Sequence, residues 1–171
     1  MKRMCSGTVA LVVLVCAVAV APADSGTIWD KQIDGKGRFE VLKHFDDEAV
    51  LDKETGLVWE RSPSDPLLWL NAHGRCNRLT TGDRLGWRLP TLQELASLVD
   101  PSVASAPKLP AGHPFENVQT FFPYWSATTA ASDASSAWAV NFSNGNLVGG
   151  VAKSNGMLVW CVRGGQGMDP Q

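Results

Sequence analysis

The sequence predicts an α+β fold, and three observations carry that expectation. Short apolar-polar alternations precede residue 61, two amphipathic helical patterns occupy the middle, and the period drops to two residues beyond Pro114. At 171 residues the chain allows one domain and leaves little room for a second.

Taken in order, Phe39-Glu40-Val41-Leu42 reads as a short strand. Ala49–Asp52 and Gly56–Glu60 read as two more, joined by the turn Lys53-Glu54-Thr55-Gly56. Ser62-Pro63-Ser64-Asp65-Pro66 breaks the pattern and leads into a first helix, where Trp69, Ala72, Cys76 and Leu79 recur at helical spacing. A second helix opens at Thr91, an N-cap whose capping-box partner Glu94 follows three residues later. Leu92, Leu95, Ala96 and Val99 form its apolar stripe, and Asp100-Pro101 ends it. A loop with Pro107, Pro110 and Pro114 follows. Tyr124–Thr128 is then a strand, and Trp138, Val140 and Phe142 alternate in another. Asn144-Gly145 signals a type I′ hairpin into a strand over Leu147–Ala152. Asn155-Gly156 is a further turn, before a last strand over Leu158–Arg163.

The first 23 residues read as a secretory leader rather than as part of the fold. Lys2 and Arg3 precede the apolar stretch Val9 to Val20, and Ala21-Pro22-Ala23 supplies small residues for cleavage after Ala23. The stretch is too short to span a bilayer, so no transmembrane anchor is expected. Cys16 raises a lipid-anchor alternative, against which stands Val15, since small residues are wanted before such a cysteine. The expected division is a leader over 1–23, an extension with the first strand over 24–48, the main domain over 49–165, and a tail over 166–171. The chain has 15 basic and 17 acidic residues, and the leader holds Lys2 and Arg3. The mature remainder therefore has 13 against 17, a formal charge of −4. Nucleic-acid binding needs a basic footprint and is not expected. An exported destination, periplasmic or extracellular, is.

Leader removal takes Cys5 and Cys16 and leaves Cys76 and Cys161. Two cysteines in an oxidising compartment are most simply one disulfide, worth about 4–5 kcal/mol in the chain-entropy account for a loop this long. A metal site is the alternative, but neither cysteine has a second cysteine nearby, and His73 would be a lone partner for Cys76.

Gly86-Trp87-Arg88-Leu89-Pro90-Thr91 with Glu94-Leu95 resembles the signature of the DUF1566 family, the C-terminal domain of the Legionella collagen-like adhesin. Thr55–Trp59, Tyr124–Thr128, Ala137–Phe142 and Cys161–Gly164 resemble further motifs of that family in the same order. The resemblance implies a C-type-lectin-like fold, with two helices on a small, mostly antiparallel sheet, akin to that of the sulfatase-modifying enzymes. It implies a disulfide from first helix to last strand, and a role in attachment, since the adhesin relative binds sulfated polysaccharides. The Glu-Pro-Asn, Gln-Pro-Asp and Trp-Asn-Asp tripeptides of calcium-dependent lectins do not occur here.

Among candidate site residues, Arg75, Arg78, Arg84 and Arg88 form the densest basic cluster, and guanidinium forks suit sulfate and carboxylate groups. Against this, Arg75 and Arg78 read equally as solvated helix positions, and Arg88 as half of a structural pair. Trp59, Trp69, Trp87, Trp138 and Trp160 fall on apolar faces or in the family motifs and are expected in the core. His44, His73 and His113 lack metal spacing, Asp46-Asp47-Glu48 reads as a solvated turn, and no nucleophile elbow surrounds Ser126 or Ser143. The expectation is a non-enzymatic binding module without a cofactor, whose partner is a polysaccharide or surface protein. A structural or protein-interaction component of the envelope is the second reading, and a sulfatase-modifying-type enzyme with a reactive thiol the third.

Overall fold

The computed structural model describes residues 35–164. The expected leader, its expected cleavage site and the expected tail lie outside the described residues. The α+β expectation holds, with ten strands in two mostly antiparallel five-stranded sheets. The first sheet has the order β1-β2-β3-β10-β5 and the second β4-β9-β6-β7-β8. In chain order the elements are α1 (Gly35–Arg38), β1 (Phe39–Val41), β2 (Ala49–Asp52), β3 (Leu57–Glu60), β4 (Ser64–Leu68), α2 (Trp69–Arg78) and β5 (Trp87–Arg88). They continue with α3 (Leu92–Ala96), β6 (Tyr124–Ala130), β7 (Asp133–Asn141), β8 (Asn146–Ala152), β9 (Gly156–Val159) and β10 (Val162–Arg163).

The β2–β3 turn shows why the first hairpin closes where it does. The Asp52 carboxylate accepts from the Glu54 N–H at 3.0 Å and from the Thr55 hydroxyl at 2.8 Å. Gly56 supplies the left-handed residue, with φ 71°. The same carboxylate receives both arms of Arg38, at 2.8 and 2.7 Å, and this pair is almost fully buried. Arg38 also reaches the Ser97 carbonyl at 2.9 Å, tying the hairpin to the end of α3.

Four features differ from the sequence expectation. Ser62–Pro66 is not merely a break: residues 64–68 form β4 at the edge of the second sheet, and Pro66 falls where the register slips between Ser64 and Leu67. Proline lacks an N–H donor, and an irregular edge strand is where it can sit. Helix α3 stops at Ala96, because the Ser97 hydroxyl donates back to the Glu94 carbonyl at 2.7 Å and the next turn tightens. Leu98 is fully buried while Val99 is only partly so. The β7–β8 connection is a four-residue loop over 142–145. Of the pair Asn144-Gly145 only Gly145 has a positive φ, 79°, whereas a type I′ turn needs two such residues.

The expected last strand is two strands. β9 pairs with β4 and runs parallel to β6, whereas β10 lies between β3 and β5. The change of sheet occurs at Trp160-Cys161, and the two side chains enter different buried clusters. Trp160 sits among Phe115, Phe142 and Trp59, with ring centroids 4.9 to 5.8 Å apart. Its N–H donates to the Glu60 carbonyl at 2.7 Å. Cys161 joins Cys76 of α2, with Cα atoms 5.4 Å apart, and both cysteines are fully buried. The disulfide therefore anchors α2 to the point where the chain passes between sheets.

Candidate functional site

An open cleft of about 430 Å³ lies beside the start of the first sheet. Its lining comes from the turn at Asp46, Asp47 and Glu48, the end of β3 at Glu60, Arg61 and Ser62, the exit of α2 at Leu79 and Thr81, and Glu116. Arg61 binds these segments together. Its guanidinium pairs with Glu116 at 2.7 Å and donates to the Asp47 carbonyl at 3.0 Å, while its backbone N–H donates to the Glu48 carbonyl at 2.8 Å. Asn117, with φ 52°, donates from its side chain to the Ser62 hydroxyl at 3.0 Å.

On one side the cleft rests on a charged pair next to the disulfide. Arg75 Nη1 donates to Glu60 Oε2 at 2.7 Å, its Nη2 binds Glu60 Oε1, and the same guanidinium lies against the Cys161 sulfur. Five carboxylates and one guanidinium thus line the cleft, and Arg75 stands behind Glu60. Asp46, Asp47 and Glu48 have no side-chain partner among the described residues, so the field at the mouth is negative. No group of three or more His, Cys, Asp or Glu among the described residues is arranged to hold a metal ion.

The four arginines singled out in the sequence fall into two kinds. Arg75 is spent on Glu60. Arg88 forms a fork on Glu94, at 2.8 and 2.6 Å, and donates to the Gly164 carbonyl at 2.8 Å. Burial of Glu94 works against its charge, but Arg88 and the Thr91 N–H outweigh it and hold the carboxyl below its ordinary value. Arg88 therefore locks the capping box of α3 to the end of β10. Arg78 and Arg84 are exposed, without a partner among the described residues. Sequence spacing grouped the four, and the fold divides them into two structural residues and two available ones.

The family model of the Lcl C-terminal domain matches residues 48–163. The chain belongs to that family. The match begins just before β2 and ends in β10, so it takes in the disulfide, the second sheet, the first sheet apart from β1, and the cleft apart from Asp46 and Asp47. No curated protein matches the chain. Within this Lcl C-terminal domain the cleft is a site that sequence reasoning missed. Asp46-Asp47-Glu48 was its one visible signal, and two of the other walls, Arg61 and Glu116, are brought in by hydrogen bonds between distant segments. Among the described residues no helix is long and apolar enough to cross a membrane.

Proposed function

We propose that this Lcl C-terminal domain is an exported, non-enzymatic binding module for a surface polymer, a glycan in the first place. One observation carries the reading: the reactive and charged groups of the interior are committed to the frame, while uncommitted polar groups stand on loops and at the end of α2 around it. Cys76 and Cys161 are bonded to each other, and Arg75 and Arg88 are held by carboxylates. Arg78, Arg84, Asp46, Asp47 and Glu48 remain for contacts with a partner. A disulfide-tied scaffold that presents variable loops suits recognition, because the loops can change without loss of the core.

The two available arginines would meet sulfate or carboxylate groups, whereas the cleft mouth would repel them and accept hydrogen bonds from sugar hydroxyls. An array of neutral and sulfated polysaccharides, probed with the oxidised protein with and without chelator, tests this. The expected result is saturable, chelator-insensitive binding, with any sulfated-chain component lost in Arg78→Ala plus Arg84→Ala. A blank array from a folded protein sinks the glycan reading. It would shift attention to a protein partner, which the exposed side chains of Leu70, Leu85 and Phe121 favour as the second reading.

A further inference from the structure

The tryptophans separate in a way their sequence positions do not suggest. Trp59, Trp69, Trp87, Trp125 and Trp160 belong to, or pack against, the two buried clusters, but Trp138 joins neither. It is partly exposed, and its indole N–H has no partner among the described residues and is not sealed from solvent. It stands in β7, the strand between β6 and β8, and both neighbours lose register beside it. β6 slips between Trp125 and Thr129, and β8 slips where Gly149 and Gly150 lie opposite Trp138. Bulges on flanking strands re-aim the side chain between them.

The ring then lies over Gly149. A Cβ added there would come within 2.9 Å of Trp138 Cη2 and Cζ3, so the indole occupies space that only glycine leaves open. On the other side the Ser126 hydroxyl donates to the Trp138 carbonyl at 2.8 Å and fixes the backbone. Shielding a glycine on an edge strand accounts for where the ring is. It does not account for the open N–H, nor for the chemistry around it. From Ala134 to Ala152 there is no ionisable residue; the Ser135 and Ser136 hydroxyls are held by Asp133, and Asn141, Ser143, Asn144 and Asn146 stand towards the turn. A flat π-surface with a free donor, on a hairpin that carries no ionisable residue between Ala134 and Ala152, is complementary to the C–H face and rim hydroxyls of a neutral pyranose.

We infer that Trp138, laid on Gly149 across the β7–β8 hairpin, is a stacking platform for a neutral pyranose unit of a polysaccharide. This rests on the glycan-binding reading above and adds the residue and the class of sugar. The ring is held by two strands and needs no reorganisation on binding, which favours affinity. The platform is independent of Arg78 and Arg84, so neutral chains should bind irrespective of those charges.

The test uses the oxidised full chain with xylan, dextran and galactomannan as neutral probes and dextran sulfate as the charged one. Trp138→Ala should weaken binding of the preferred neutral chain about tenfold or more, Trp138→Phe should fall between, and Arg78→Ala plus Arg84→Ala should leave it unchanged. Should the alanine variant lose its fold, N-bromosuccinimide oxidation of the wild-type chain, mapped by peptide mass, supplies the same answer. Bound polysaccharide should then protect Trp138. Neutral-chain binding that neither the alanine variant nor the footprint traces to Trp138 overturns the platform and leaves the glycan reading standing. Binding of no polysaccharide at all overturns both. Self-association of the sugar-free chain that Trp138→Ala abolishes would assign the ring to a protein interface and also overturn the proposal.

Discussion

The stretch from Arg38 to Glu94 and the β7–β8 hairpin solve the problem of a stable surface by opposite means. In the first, charge is abundant and much of it is built in: Arg38 on Asp52, Arg75 on Glu60 and Arg88 on Glu94 each join segments distant in sequence or cap a helix. In the second, from Ala134 to Ala152, no residue is ionisable, and order comes from backbone pairing, small residues and one indole over a glycine. A buried ion pair has its directions consumed by its partner, so it specifies geometry and has little left for a ligand. An uncharged ribbon holds no such pair: its Ser135 and Ser136 hydroxyls are taken by Asp133, while its aromatic face stays available. An arginine cluster in a sequence is therefore a weaker sign of a binding surface than its charge suggests, because half of this one is internal framework.

The comparison would break most visibly at the disulfide, which is the charged region's covalent anchor to the rest. Replacing Cys76 and Cys161 by Ala should cost about 4–5 kcal/mol on the chain-entropy account, read as a lowered denaturant midpoint under oxidising conditions. A change below about 1 kcal/mol would mean that packing alone holds α2 against the last strands.

Next in size is the buried pair. Asp52→Ala should destabilise by about 3 kcal/mol or more, since Arg38 loses its principal partner inside the fold. Lys53→Ala removes a partner of Glu40 in an exposed pair at 2.9 Å and should cost about 0–1 kcal/mol. Urea titration of the two neighbouring variants measures the contrast, and equal losses would refute the claim that burial sets the value of these charges.

The smallest expected effect is with pH. His73 is held below its ordinary 6.5 by burial, with Lys153 adding to the shift, and His113 by burial alone. For each the unfolded chain takes up a proton first, so their contribution to stability is complete above about pH 6.5 and declines as pH falls below it. Glu94, also lowered, acts in the same direction below about 4.5. Thermal midpoints should therefore hold down to about pH 6.5 and drop from there towards pH 5, and His73→Gln should flatten that slope. A midpoint that rises on acidification through this range contradicts the assignment.

Much of this was present in the residues themselves. Thr91 and Glu94 announced the helix start, and both halves of the capping box form, with Glu94 N–H to Thr91 Oγ1 at 3.2 Å and Thr91 N–H to Glu94 Oε2 at 2.8 Å. The first hairpin, the helix carrying Cys76 and the Cys76–Cys161 bond were legible for the same reason: capping, periodicity and cysteine count are local or combinatorial properties. Edge position was not legible, which is why the strand containing Pro66 read as a break. The division of the last strand at Trp160 was also hidden, because its residues are apolar on both sides of the switch and either sheet satisfies the pattern.

What the sequence determined by itself was the α+β class, the family motifs and the pairing of Cys76 with Cys161. What only the tertiary structure decided was which charges are spent and which are free. Arg75 and Arg78 stand three residues apart on one helix, yet Glu60 from another strand takes the first and leaves the second in solvent. Trp138 and Trp160 are equally apolar in sequence, and two register slips place one over a glycine at the sheet margin while the other lies in the core. The physical reason is common to both cases. Periodicity says which face a side chain takes, whereas its partner comes from a segment far along the chain, and only the closed fold brings the two together.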